Sequence, residues 1–112
     1  MNVLAAILAA TSLQITVWPN GEGHTPKRTY TLTCVPVGGT LPHRAAACEK
    51  LAALEAPFAP TPRNVACTQI YGGPQEALVI GRFRGRPVRV RFNRRNGCEI
   101  ERWRRVGFLF TK

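Results

Sequence analysis

The four cysteines of this chain are the side chains best suited to covalent chemistry, and they are Cys34, Cys48, Cys67 and Cys98. An even cysteine count in a short domain indicates two disulfide bonds. A structural zinc site is poorly supported, because no two cysteines form the tight pair that brings neighbouring ligands to one ion. Disulfides persist in oxidising compartments, so the sequence predicts a secreted or surface protein.

The remaining reactive side chains do not form a catalytic set. The chain has no aspartate, its one serine is Ser12 and its histidines are His24 and His43, so a Ser-His-Asp triad lacks a member. Two disulfides would consume every nucleophilic thiol. The histidines lack metal-ligand spacing, and Glu99 and Glu101 lie among arginines, where ion pairing is the expected role. We therefore expect no enzyme activity, no metal and no cofactor.

Positive charge is concentrated in the last third of the chain. Lysine and arginine number 16 against 6 acidic residues, the formal net charge is +10, and ten of the arginines lie from Arg82 to Arg105. The simplest interpretation is the solvated face of a sheet, and the alternative is a patch for an acidic partner. A nucleic-acid partner is disfavoured, because nuclear and cytosolic proteins rarely keep disulfides.

The segment Met1–Ala10 is apolar and rich in alanine. It lacks the basic start of a signal peptide and is too short to span a bilayer. We interpret it as the remains of a signal peptide or as an N-terminal arm, with residues 11–112 as a single domain. Because no other stretch is long enough to span a bilayer, we expect no membrane partner.

Hydrophobic alternation predicts two strands in the first half of the domain, at Leu13–Trp18 and Arg28–Cys34. Two prolines and a glycine pair indicate a loop at Pro36–Pro42. The spacing of apolar residues then predicts the main helix at His43–Leu54, which carries Cys48 in its middle.

The second half is predicted to begin with a stiff, extended connection at Pro57–Asn64, which contains three prolines. Glu76–Phe83 and Pro87–Phe92 alternate as a β-hairpin around an Arg-Gly-Arg turn. Cys98–Arg104 is predicted as a short helical turn and Val106–Phe110 as a last strand. The fold class is α+β, an antiparallel sheet with one main helix on one face.

Several segments together carry a family resemblance that no single segment would. They read TLTC at Thr31–Cys34, AAACEKLAAL in the main helix, VACTQIY at Val65–Tyr71, GRFRGRPVRVRFNRRNGCE at Gly81–Glu99, and an aromatic end at Phe108–Phe110. In order and spacing, and in all four cysteines, the chain resembles the Streptomyces subtilisin inhibitor family of secreted serine-protease inhibitors.

The resemblance implies the disulfides Cys34–Cys48 and Cys67–Cys98. It implies a five-stranded antiparallel sheet with one main helix and a short second helix packed on one face. It also implies a homodimer formed through the sheet.

The resemblance further implies a protease-binding loop whose reactive bond lies two residues after the third cysteine. Here that bond is Gln69–Ile70, with Gln69 entering the main specificity pocket of a subtilisin-like serine protease. The other contact positions would be Ala66, Cys67, Thr68 and Tyr71.

Two departures from the family pattern matter. Members often have methionine or lysine where this chain has Gln69, which bears on the choice of target. They often have Asp-Pro after the tyrosine, where this chain has Gly72-Gly73-Pro74, which bears on the stiffness of the far side of the loop.

Other interpretations of the same residues stay open at this point. The loop could be an ordinary linker held by a disulfide. The arginine-rich face could make the chain a basic extracellular binding module without protease inhibition. Exposed glutamines at Gln14, Gln69 or Gln75 could serve as transglutaminase substrates, as in some members of the family.

Overall fold

The computed structural model describes residues 10–110. The interpretation of Met1–Ala10 as a signal-peptide remnant or arm therefore lies outside the described residues, apart from Ala10, and stays a prediction. Within residues 10–110, no helix is long and apolar enough to cross a membrane.

Five strands form one antiparallel sheet, as predicted. In chain order they are β1 (Ser12–Trp18), β2 (Arg28–Cys34), β3 (Val37–Gly39), β4 (Glu76–Phe83) and β5 (Arg86–Phe92). Their order across the sheet is β3-β2-β1-β4-β5, so β1 is central and β3 and β5 are the edges. Hydrophobic alternation therefore located the four long strands correctly.

The fifth strand is not the one that the residue pattern predicted. Val37–Gly39 was predicted as loop, yet it pairs with β2 from Leu32 to Cys34. Gly39 has φ +104°, and a Cβ there would overlap the Thr31 carbonyl, so glycine permits the close turn against β2. The glycine pair that indicated a loop is what allows this short edge strand.

The predicted last strand at Val106–Phe110 is also wrong. The segment forms a 3₁₀ turn at Gly107–Leu109. Val106 and Leu109 are both fully buried, and a separation of three residues places them on the same side of such a turn. A short apolar run gives no alternation by which to distinguish these two structures.

Residues 10–110 also contain two α-helices, α1 (Arg44–Ala53) and α2 (Gly97–Arg105). The main helix agrees with the predicted His43–Leu54 to within one residue at each end. The second is longer than the predicted Cys98–Arg104. It starts at Gly97, and the side chain of the preceding residue, Asn96, caps the helix by accepting a hydrogen bond from the Glu99 amide at 3.0 Å.

The hydrophobic core lies between one face of the sheet and the helices. It contains alternate residues of the strands and the inward side of α1, together with the C-terminal segment, among them Leu13, Ile15, Leu32, Leu51, Val79, Phe92, Val106 and Leu109. The opposite face of the sheet, which we call the open face, carries Gln14, Thr31, Leu78, Ile80, Arg82, Arg89 and Arg91. Both α-helices of residues 10–110 therefore pack on one side, and no other element of this range covers the open face.

The hairpin between β4 and β5 is tighter than predicted, because Arg86 belongs to β5 and not to the turn. Its two central residues, Arg84 and Gly85, have φ of 53° and 81°. The Arg84 guanidinium donates to the carbonyls of Leu51, Leu54 and Glu55 at 3.0–3.4 Å. These bonds attach the hairpin tip to the end of α1, at the opposite end of β4 from Glu76.

Candidate functional site

An irregular, mostly exposed segment at 65–75, which we call the loop, lies between the proline-rich connection and β4. The disulfide Cys67–Cys98 joins it to the first turn of α2, with a Cα–Cα distance of 5.3 Å. The disulfide Cys34–Cys48 joins β2 to α1 at the other side of the core. Both bridges implied by the resemblance are therefore present.

The loop displays side chains that a folded domain usually covers. Ile70 is 59% exposed and Tyr71 67% exposed, and Ala66, Thr68 and Gln69 are also exposed. Cys67 is half-buried against α2. Large apolar side chains grouped in solvent are typical of a surface that binds another molecule.

The start of α2 holds the loop immediately before Gln69. The Gly97 amide donates to the Thr68 carbonyl at 2.9 Å. A Cβ at position 97 would overlap Thr68 Oγ1, so glycine permits this close approach without a shift of the Thr68 side chain. Together with the disulfide, this hydrogen bond fixes two successive residues of the loop.

Arg94 holds the loop on the other side of Ile70 and Tyr71. Its carbonyl accepts from the Gly72 amide at 2.6 Å, and its Nε donates to the Gly72 carbonyl at 3.1 Å. The Arg94 guanidinium also lies 5.8 Å from the centre of the Trp103 ring. A Cβ at Gly72 would lie 2.9 Å from Ile100, so here too a glycine permits close packing.

These contacts bear on the departure noted at Gly72-Gly73-Pro74. Flexible glycines predict a loose far side of the loop, but both backbone groups of Gly72 are bonded to Arg94. Sequence reasoning missed Arg94 and Gly97. Arg94 is one arginine among ten, and Gly97 resembled an ordinary turn residue after Asn96.

Residues 69–71 lie between the two anchored positions, Thr68 and Gly72, and make no hydrogen bonds of their own within residues 10–110. In the part of the chain that the structure describes, no hydrogen bond involves Gln69, Ile70 or Tyr71. Their backbone groups are therefore available to pair with an extended partner.

The approach to the loop differs from the prediction in one respect. Pro57–Asn64 contains no helix or strand, as expected, but it is not extended throughout. The Val65 amide donates to the Pro62 carbonyl at 3.3 Å and closes a turn just before the loop. Proline rigidity and this turn together limit the directions from which the chain enters.

Residues considered for catalysis are not brought together. His24 and His43 are exposed, and residues 10–110 contain no group of three or more His, Cys, Asp or Glu that could hold a metal ion. Glu99 pairs with Arg102 at 3.1 Å and Glu101 with Arg104 at 3.0 Å, which confirms their predicted ion pairing.

Comparisons with known proteins identify a family and a shared fold. The family described as subtilisin inhibitor-like matches residues 9–96, a range that includes Cys67 and ends just before α2. No protein of curated function matches the chain. Among solved structures, sermetstatin from Streptomyces caespitosus, crystallised in complex with Bacillus licheniformis subtilisin, aligns with a TM-score of 0.56 and 24% identity. The alignment covers 90% of this chain and 97% of that chain, which shows a shared fold.

Proposed function

Because the chain belongs to the subtilisin inhibitor-like family, we propose that it inhibits subtilisin-like serine proteases by presenting the Gln69–Ile70 bond to the active site. Family membership makes it an inhibitor and not an enzyme, and it does not favour a basic binding module without inhibition. The observation that carries the proposed site is the loop held at Thr68 and Gly72 and unbonded between them.

The geometry explains how such a loop resists turnover. A protease binds its substrate as an extended strand, through backbone hydrogen bonds and side-chain pockets. A loop that is already ordered avoids much of the entropy cost of binding. If the bond after Gln69 is cut, one new end stays attached to α2 through Cys67 and the other stays bonded to Arg94. Resealing then competes with release, so binding is tight and cleavage is slow.

The side chain at the reactive position sets the expected target class. Gln69 is uncharged and cannot form the ion pair by which a trypsin-like pocket recognises lysine or arginine. A subtilisin-like enzyme has a broad, mostly apolar groove that can accept glutamine at some cost. Because of that cost, we expect weaker inhibition than with methionine at position 69. Ala66 would also fill the fourth subsite of such a groove only in part.

Titration of subtilisin and of trypsin with the purified chain tests the proposed function. We expect subtilisin activity to disappear at micromolar inhibitor while trypsin stays active, and mass spectrometry to find slow cleavage between Gln69 and Ile70. Gln14→Ala, on the open face, serves as a control that should inhibit as the original chain does. Subtilisin that remains fully active at micromolar inhibitor would contradict the proposal.

The contact between Gly97 and Thr68 gives a sharper test of the loop. Gly97→Ala introduces a methyl group that overlaps Thr68 Oγ1 and should displace the loop. Overpacking of this kind costs about 1–3 kcal/mol, which, if it falls on the bound loop, corresponds to about a fivefold to 150-fold rise in the inhibition constant. Thr68→Ala removes the hydroxyl that the new methyl group overlaps. Gly97→Ala should therefore weaken inhibition less in a Thr68→Ala chain than in the original chain. Equal inhibition by Gly97→Ala and the original chain would contradict this role.

We also propose secretion and a homodimer. The two disulfides support an extracellular location. The open face supports the dimer, because Leu78 and Ile80 are only half-buried there and a twofold axis would place the same surfaces against each other.

The dimer should become tighter as salt increases, because Arg82 and Arg89, which have no carboxylate partner within residues 10–110, lie on the open face of both copies and salt screens their repulsion. Sedimentation velocity across a salt series measures this. Raising NaCl from about 0.05 M to about 0.5 M should lower the dimer dissociation constant severalfold, and Arg89→Ser should reduce that dependence. A chain that stays monomeric at every salt concentration would contradict the dimer.

A further inference from the structure

The surroundings of the loop carry positive charge that carboxylates do not neutralise. Arg63, two residues before Val65, is exposed, and within residues 10–110 it has neither a hydrogen bond nor an ion pair. The Arg94 guanidinium bonds to the Gly72 carbonyl, which is neutral. Arg105 lines the groove of about 340 Å³ behind Ala66 and Cys67, and its one hydrogen bond there goes to the Ala56 carbonyl.

The carboxylates beside the loop already have partners. Glu76 pairs with Arg95 at 3.1 Å, and the ion pairs of Glu99 and Glu101 within α2 are described above. Residues 64–75, which include the whole loop, contain no charged side chain. The field around the exposed span is therefore set by Arg63, Arg94 and Arg105 and by the net charge of +10.

We infer that the target is a subtilisin-type protease whose active-site cleft is rimmed by carboxylates. This inference rests on the proposed function, because insertion of Gln69 into the cleft brings the three arginines to its rim. Opposite charges at the rim speed association, whereas like charges oppose it. A neutral Gln69 contributes no charge selection inside the specificity pocket, so selection by charge falls to the rim.

Association kinetics with two forms of one subtilisin test the inference. The first form keeps the carboxylates around its cleft, and in the second they are replaced by the matching amides. We expect the association rate constant for the first form to fall about tenfold as NaCl rises from about 20 mM to about 500 mM. The second form should bind slowly at low salt and respond little to added salt, with dissociation rates nearly equal for the two.

Two charge variants of the inhibitor provide a matched pair. Arg63→Glu reverses a charge beside the loop, and Arg86→Glu makes the same change at the hairpin tip. Arg86 is separated from the loop by the length of β5, about 20 Å at 3.3 Å per residue. At low salt we expect Arg63→Glu to lower the association rate constant with the acidic subtilisin about fivefold, and Arg86→Glu to lower it by less than half of that factor.

The possible outcomes distinguish failure of the acidic-target inference from failure of the proposed inhibition. Tight inhibition of both subtilisin forms, with equal and salt-independent association rates, would overturn the acidic target and leave inhibition intact. Equal decreases in the association rate constant for Arg63→Glu and Arg86→Glu would show that only net charge matters. That result would also overturn the acidic-target inference. Absence of inhibition of either form at any salt concentration would overturn the proposed function itself.

Discussion

Replacing Cys67 and Cys98 together by serine is expected to turn the inhibitor into a substrate. The disulfide closes a stretch of 31 residues, and a closure of that length stabilises the folded chain by about 3–4 kcal/mol because it restricts the unfolded chain. Without it, much of the ordering of the loop must occur on binding. Ordering several loop side chains on binding costs about 0.5–1.5 kcal/mol each, so we expect the inhibition constant to rise by about tenfold to a thousandfold. Subtilisin should then cleave between Gln69 and Ile70, with the new ends free to leave.

Progress curves of subtilisin activity, followed by mass spectrometry of the inhibitor, measure this conversion. Inhibition should become temporary and recover as the cleaved chain accumulates. The matched control is Cys34→Ala with Cys48→Ala, whose bridge closes 14 residues far from the loop. That control should lower the free energy of unfolding by about 3 kcal/mol and leave inhibition by the folded chain unchanged. A Cys67/Cys98 variant that is folded by circular dichroism and still inhibits permanently would refute the role assigned to this bridge.

Gln69→Lys is expected to create inhibition of trypsin. A lysine at this position would place an ammonium group in a pocket that recognises positive charge, and close ion pairs of this kind contribute about 3 kcal/mol or more. That energy corresponds to an inhibition constant for trypsin that is lower by at least about a hundredfold.

Gln69→Met is the matched control for that change. It should leave trypsin uninhibited while strengthening inhibition of subtilisin, because an unbranched apolar side chain suits the apolar groove better than an amide does. If lysine produced no trypsin inhibition although the variant still inhibited subtilisin, Gln69 would not occupy the specificity pocket.

The sequence predicted the parts of the fold that periodicity and cysteines encode. The long strands alternate clearly, and the central position of Cys48 in a helix follows from apolar spacing. The segment Val37–Gly39 escaped prediction because three residues are too few to alternate and two of them are glycine. The C-terminal apolar run was assigned to a strand because buried strands and buried turns have the same composition over five residues.

In the candidate site, too, residue type predicted some features and missed others. The loop was located by Cys67 and by family resemblance, both of which are properties of residue type. The anchors at Gly97 and Arg94 act mainly through their backbone, through an amide in one case and a carbonyl in the other. Every residue except proline has both groups, so residue type cannot indicate which of them will be used. Only the packing of α2 against the loop selects these two.

The two edges of the sheet have a consequence for how the chain behaves among other extended polypeptides. An uncovered edge strand has unpaired N–H and C=O groups that can template the addition of a foreign strand. Here β3 has only three residues, and β5 carries Pro87 together with alternating arginines such as Arg89. Short length, proline and charge all discourage such edge-to-edge growth. If the proposed protease-binding loop pairs with its target as a strand, the sheet edges do not compete with it, and both edges resist self-propagating aggregation.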